Sequence, residues 1–399
     1  RVQGRGPEAL GVVVAMFDSE SDAAQARKQA SGDAAVYDCG SSRSTSFGRE
    51  TASPGAWAES EDGGLCFAVW DPDRFQVLGK LMDAARNFGE VLLACDRASG
   101  RTLAVKRVPN RWMCSCPEEF VAVHPEETER PWTDVQIASL LNEWRFPYVC
   151  ELFGLYRDEE HTYVVTEFAS EGDLFAVCSS PSSLGAMEPG PYREAAFLPV
   201  IMQILDAVAW LHSRSIVHGD VSLENILLTG QAETGQAVRI IDFGMSAVAG
   251  ALRTRCIGKP SYQAPEMHHA QGAGYDGLKA DAFAVGVAIY ILLMKDYPWA
   301  GTLPGSCRCF AFFSSFGLRA YAAQRRIRGW QTKVAERVSE PMMQLLEGLL
   351  NVNPEERLAL HISQREAKFA KTGSVWELPL VRYGASLLPA ASPRRVRSD

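Results

Sequence analysis

Val217-His218-Gly219-Asp220-Val221-Ser222-Leu223-Glu224-Asn225 is a polar loop that runs straight into the apolar Ile226-Leu227-Leu228. It carries a carboxylate, Asp220, and an amide, Asn225, five residues apart. Shortly after comes an apolar run, Arg239-Ile240-Ile241, ending in Asp242-Phe243-Gly244. A turn between a helix and a strand accounts for the first stretch. It does not account for a second carboxylate at the end of the next strand.

Upstream, Phe197, Val200, Ile201, Ile204, Leu205, Val208 and Leu211 recur every three or four residues, which predicts one long amphipathic helix. Further back the period changes. Phe75–Leu81, Gly89–Cys95, Arg101–Val108, Glu151–Arg157 and Thr162–Phe168 read as strands, with Ser99-Gly100 as a turn. A helix with Val135, Ala138, Leu140 and Leu141 on its face ends before Pro147. The Pro- and Glu-rich stretch 109–131 ahead of it reads as an insertion loop. Downstream, Asp281–Met294 and Met342–Leu350 read as buried helices, and the chain from about Gly373 reads as a loose tail. Strands first and helices afterwards imply an α+β fold in two lobes, with a small β-rich N-lobe over 67–170 and a larger helical C-lobe over 171–366.

The 399 residues are 47% hydrophobic with a formal charge of −8, enough apolar matter for a sizeable core. The acidic balance argues against a dedicated nucleic-acid binder. No apolar run approaches the roughly 20 residues of a membrane helix. Residues 1–66 are rich in Ser, Ala, Gly and Asp and read as a disordered extension, and 367–399 as a tail. Leu10–Phe17 is apolar, but its flanks fit a secretory leader poorly. The pairs Cys114/Cys116 and Cys307/Cys309 are spaced more tightly than zinc sites use, so the thiols are expected to be reduced, in the cytosol or nucleus.

With Leu103-Ala104-Val105-Lys106 on the third strand and Ala264-Pro265-Glu266 downstream, the set resembles the protein kinase family from about Phe75 to His361. The resemblance implies ATP and Mg2+ as cofactors. Lys106 would hold the α- and β-phosphates, Asp220 would orient the acceptor hydroxyl and take its proton, and Asn225 and Asp242 would hold the metal. Thr162-Tyr163-Val164-Val165-Thr166-Glu167-Phe168-Ala169 would form the strand and hinge behind the adenine. Backbone groups of Glu167 and Ala169 would bond its edge, and Thr166 would close the back. Val91, Ala104 and Leu174 would sandwich the ring, and Asp173 would accept from the ribose. Glu266 would pair with Arg357 as structure, and Asp281 would brace the catalytic loop.

This chain departs from the family pattern at four places. Ala84 and Arg86 stand where the first two glycines of the phosphate loop belong, leaving Gly89. The helix acid that should partner Lys106 is out of register, with Asp134 as the candidate. Ser222 replaces the catalytic-loop lysine, and Lys259 is a candidate to take its place. Gly219 replaces the arginine that receives a phosphorylated activation loop, while Arg255 stands at the usual phosphosite beside Thr254. Activity independent of activation-loop phosphorylation is therefore expected.

The implied function is an ATP-dependent protein kinase with Ser/Thr acceptors favoured. The alternative is a pseudokinase that scaffolds. Partners would be a protein substrate and a regulator, at the 109–131 insert or at the basic cluster Arg319, Arg325, Arg326, Arg328 and Lys333.

Overall fold

A computed structural model of the chain describes residues 65–180, 183–230, 235–269, 274–361 and 373–385. The extension expected over 1–66, with Leu10–Phe17, lies outside them as far as residue 64. The chain divides into two compact units. Of the described residues, one takes those up to Glu126 together with Leu152–Glu167, and the other takes Glu127–Glu151 and those from Phe168 onward.

Alternating side chains build the first unit. Strands β1 (Ala68–Val69), β2 (Phe75–Ala84), β3 (Gly89–Asp96), β4 (Arg101–Pro109), β5 (Leu152–Arg157) and β6 (His161–Glu167) form one sheet in the order β1-β5-β6-β4-β3-β2. The β3–β4 turn closes as predicted, with Gly100 at φ 69° and its N–H on the Asp96 carbonyl. Leu92, Ala94, Leu103, Val105, Tyr163 and Val165 point to one face and pack with Phe75 and Tyr156. Trp70 stacks on Phe75 and Tyr163 with centroids 4.8 and 4.0 Å away, which gives β1 its anchor.

The stretch 109–131 is not a loop. It folds into helices α1 (Asn110–Met113) and α2 (Pro117–Val123) around Trp112, Met113 and Phe120. Pro117 starts α2, and the Cys116 thiol accepts the Glu119 N–H. Asn110 ties the insert to the sheet. Its amide donates to the Asp158 carbonyl at 2.9 Å and its Oδ1 accepts from Thr162 Oγ1 at 2.8 Å. The Pro and Glu content suggested a loop, but three large apolar side chains are enough for a small core.

The second unit opens with helix α3 (Pro131–Glu143). It was expected in the N-lobe but groups here, because Arg130 N–H donates to the Gly244 carbonyl and Asp134 accepts the Phe243 N–H. There follow β7 (Gly172–Asp173), α4 (Leu174–Ser179), α5 (Pro191–Ser213), β8 (Ile216–Val217), β9 (Ile226–Thr229), β10 (Ala237–Ile240), β11 (Ala247–Val248), α6 (Gly277–Met294), α7 (Arg308–Gln324), α8 (Glu340–Leu349) and α9 (Pro379–Ala385). By length and composition α5 and α6 could cross a membrane, but 67% and 83% of their most apolar windows are buried. They are core helices. The C-terminal stretch is not loose as far as 385. Val375 and Val381 are buried, and Trp376 Nε1 donates to the Leu360 carbonyl at 2.7 Å.

Arg357 is wholly buried and grips both oxygens of Glu266, at 2.6 and 2.8 Å. It also donates to the Asn351 and Lys279 carbonyls. Removing one partner strands the other charge without solvent. Glu266→Ala is expected to cost about 3–5 kcal/mol, read as a lower denaturant midpoint with an unchanged slope. A loss below about 1 kcal/mol, the value of an exposed pair, would refute this.

Candidate functional site

The sheet of the first unit has two chemically different faces. Opposite the apolar core lie two cross-strand rows. Val91, Lys106 and Val164 pair in register, and so do Leu93, Ala104 and Thr166. All six are half-buried rather than enclosed. Lys106 is thus an ammonium set between two valines on β4. Thr166 turns its hydroxyl to the Ala104 carbonyl at 3.5 Å, and its methyl extends the row. Period-two geometry therefore brings Val91, Ala104, Lys106 and Thr166 onto one face. Gly89 has a structural reason of its own, since a Cβ there would come within 2.3 Å of the Arg107 carbonyl. Ahead of it the β2–β3 connection is a 3-10 turn, Ala85–Asn87, with Phe88 left-handed at φ 55°.

In the second unit the loop from Val217 to Asn225 is held from below by Asp281 on α6. One carboxylate oxygen accepts the His218 N–H at 2.8 Å and lies 3.0 Å from His212 Nε2. The other accepts the Gly219 N–H at 2.9 Å. Burial alone would raise the Asp281 carboxyl. The bond and charge of His212, with His218 and the Gly219 amide, outweigh it and hold Asp281 below the usual carboxylate range. Gly219 itself sits at φ 82°, and a Cβ would meet the Met245 carbonyl at 2.4 Å. Only glycine fits this backbone.

Above that brace the reactive groups assemble. The His218 ring accepts the Asp220 N–H on Nδ1 and faces the Ile241 carbonyl with Nε2, which fixes its tautomer. Asn225 Nδ2 donates to the Asp220 carbonyl at 2.9 Å and to Asp220 Oδ2 at 3.0 Å. Ile241 N–H donates to the Asn225 carbonyl at 3.1 Å, so Asp242, at φ 66°, follows directly beside Asn225. With both amide hydrogens of Asn225 turned toward Asp220, its Oδ1 points elsewhere and can serve a cation with the Asp242 carboxylate. Two hard oxygen donors, with phosphates to complete the shell, suit Mg2+. Phe243 is buried against the His218 ring at 5.2 Å, and its N–H donates to Asp134 at 2.8 Å.

The remaining expected residues fare differently. Leu174 has no exposed surface, so it cannot line a slot. On β9, Leu227 is half-buried and paired with Asp173. Asp173 caps α4, accepting the Ala176 N–H at 2.7 Å. The Ala169 carbonyl accepts the Gly172 N–H and Glu167 pairs with Leu103, so both hinge residues are anchored by backbone bonds. Two residues of the basic cluster, Arg319 and Arg325, are neutralised. Arg319 binds Glu340 and Glu347, and Arg325 binds Asp296. Those acids lie on other segments that the local sequence does not reveal.

The sequence model of the protein kinase domain family matches residues 86–367. CBL-interacting protein kinase 4 of Oryza sativa subsp. japonica is 28% identical over 290 residues, 71% of this chain and 55% of that protein. Serine/threonine-protein kinase SIK2 of Gallus gallus is 27% identical over 278 residues, 69% of this chain and 29% of that protein. The chain thus spans about half or less of the length of these relatives. Among solved structures, Rad53 1-466 in complex with AMP-PNP aligns with a TM-score of 0.50 and 24% identity, covering 72% of this chain and 63% of that one. At that identity the likeness is one of fold.

Asp281 supplies the first test. Because its carboxyl is depressed in the folded chain, its contribution is full above the ordinary aspartate pKa of about 4 and is lost as pH falls through the lower folded value. Asp281→Asn should therefore cost about 3–5 kcal/mol at pH 7, and the gap to the parent chain should narrow below about pH 4. Melting temperatures measured from pH 7 to pH 3 check this, and a gap constant with pH would refute it.

Proposed function

Because the chain belongs to the protein kinase family, we propose that it transfers the γ-phosphoryl group of ATP to protein hydroxyls, with Ser and Thr favoured. The observation that carries this is the bonded set Asp220–Asn225, with Asp242 next to it, on a loop braced by Asp281. A chain that had lost the chemistry would have no need to keep these acids in register.

In this reading Asp220 orients the acceptor hydroxyl and takes its proton as the oxygen attacks phosphorus. Lys106 binds the α- and β-phosphates as a point charge. Asn225 and Asp242 hold Mg2+, which when bound neutralises phosphate charge. Val91, Ala104 and Thr166 supply apolar surface for the base, and Asp173 accepts from the ribose. The preference for Ser and Thr is supported by the run Gly258-Lys259-Pro260-Ser261-Tyr262 before Ala264-Pro265-Glu266. The 109–131 insert suits a regulatory partner, since Phe88 and Val123 stand 64% and 58% exposed beside its core. A scaffold reading draws on Ala84 and Arg86, which lack the close backbone approach of glycine.

Transfer from labelled Mg-ATP to a generic basic protein separates the two readings. Asp220→Asn and Asp242→Asn should each lower transfer by at least about 10³-fold with circular dichroism unchanged. Transfer equal to that of the parent chain would leave only the scaffold. Thr254→Ala should keep its rate within about twofold, because no side chain at 219 can receive a phosphate there. Tyr275 already holds this segment, donating from Oη to the Arg255 carbonyl and pairing by backbone with Arg253. Loss of activity in folded Thr254→Ala would contradict phosphorylation-independence.

A further inference from the structure

Ser222 leaves the catalytic loop without a cation, and the structure shows what stands over it. Lys259 Nζ donates to Ser222 Oγ at 2.5 Å and lies 3.5 Å from Glu224 Oε2. Ser222 is wholly buried, two residues beyond Asp220. The preceding Gly258, at φ 77°, runs directly past the catalytic carboxylate: a Cβ there would lie 3.1 Å from Asp220 Oδ1. Asp220, Gly258 and Lys259 line one small cavity. The backbone thus passes Asp220 at 258 and delivers an ammonium to position 222 at the next residue.

We propose that Lys259 is the catalytic cation of this chain and that Ser222 is the post that holds it. The proposal rests on the kinase reading above and adds to it the source of the missing charge. As the acceptor oxygen bonds to the γ-phosphorus, its proton passes to Asp220. The bond from phosphorus to the β–γ bridging oxygen breaks, and its electron pair stays on ADP. Lys259 forms no covalent bond. Its ammonium faces the charge on the oxygens in flight, where a preorganised donor is most effective. Glu224 does not cancel this. Its Oε2 is buried and 3.5 Å away, beyond hydrogen-bond contact, so it offsets part of the charge while the ammonium gives its bond to Ser222. The same geometry explains why Ser and Lys occur together. A lysine at 222 would collide with the ammonium of Lys259, whereas a hydroxyl accepts from it.

The test uses the full chain with Lys259→Met, Lys259→Arg and the exchange Ser222→Lys with Lys259→Thr. Single-turnover transfer is measured alongside the calorimetric affinity for Mg-ADP and Mg-AMP-PNP. Lys259→Met should lower the single-turnover rate about 10²-fold, leave ADP affinity unchanged and lose preference for the nucleotide that carries a γ-phosphate. Lys259→Arg should retain part of the rate. The exchange, which moves the charge back into the loop, should recover at least about tenfold. A Lys259→Met rate within threefold of the parent, or a folded exchange variant no better than Lys259→Met, overturns the proposal. If the parent binds nucleotide but transfers nothing, the kinase reading falls. The affinity ratio then decides alone: a preference lost in Lys259→Met upholds the γ-phosphate contact, and an unchanged ratio refutes it.

Discussion

The buried carboxylate of Asp281 is the fixed point on which the second unit's chemistry is built. It sits on α6, the most apolar helix of the chain, and accepts from two consecutive backbone amides, His218 and Gly219. Those two bonds set where the loop turns. The turn sets where Asp220 lies, and Asp220 orders Asn225 through the amide of that side chain. His218 fills the space beneath, bonded to the loop on one nitrogen and facing the Ile241 carbonyl with the other. Asp242 inherits its place from the next residue along. A single charge in a dry helix packing thus positions groups that it never touches.

The same loop explains why the family pattern changed where it did. Gly219 is not a vacancy left by a lost arginine. Its backbone lies so close to Met245 that a side chain has no room. Ser222 and Lys259 likewise form a pair, one accepting from the other. Both of these departures, which looked like decay in the sequence, have a neighbour that makes them consistent.

Much of this was legible because it is periodic. Alternation in β3, β4 and β6 fixes which residues share a face with Lys106, and a three-to-four spacing fixes α5. What failed was tertiary. The 109–131 segment has the composition of a loop, yet Trp112 and Phe120 gave it a core. The run after Gly373 contains little periodicity, yet Val375 and Val381 find α5 and α8 to pack upon. Leu174 and Leu227 are indistinguishable as leucines in apolar runs, and only burial separates them. The acids that neutralise Arg319 and Arg325 come from distant segments. Helix α3 was assigned by its order in the chain, but its bonds run to the Asp242–Gly244 segment.

The pair Glu266–Arg357 also carries a consequence for how the chain is made. Its members are 91 residues apart, and Arg357 is the later to leave a ribosome. Until it emerges, Glu266 must stay hydrated, because a lone carboxylate cannot enter that interior. The helices between them, α6, α7 and α8, can form locally, but their final closure waits for the last partner. A message cut short between Asp281 and that arginine would yield a product that keeps every reactive group and still cannot close, a natural substrate for cellular quality control.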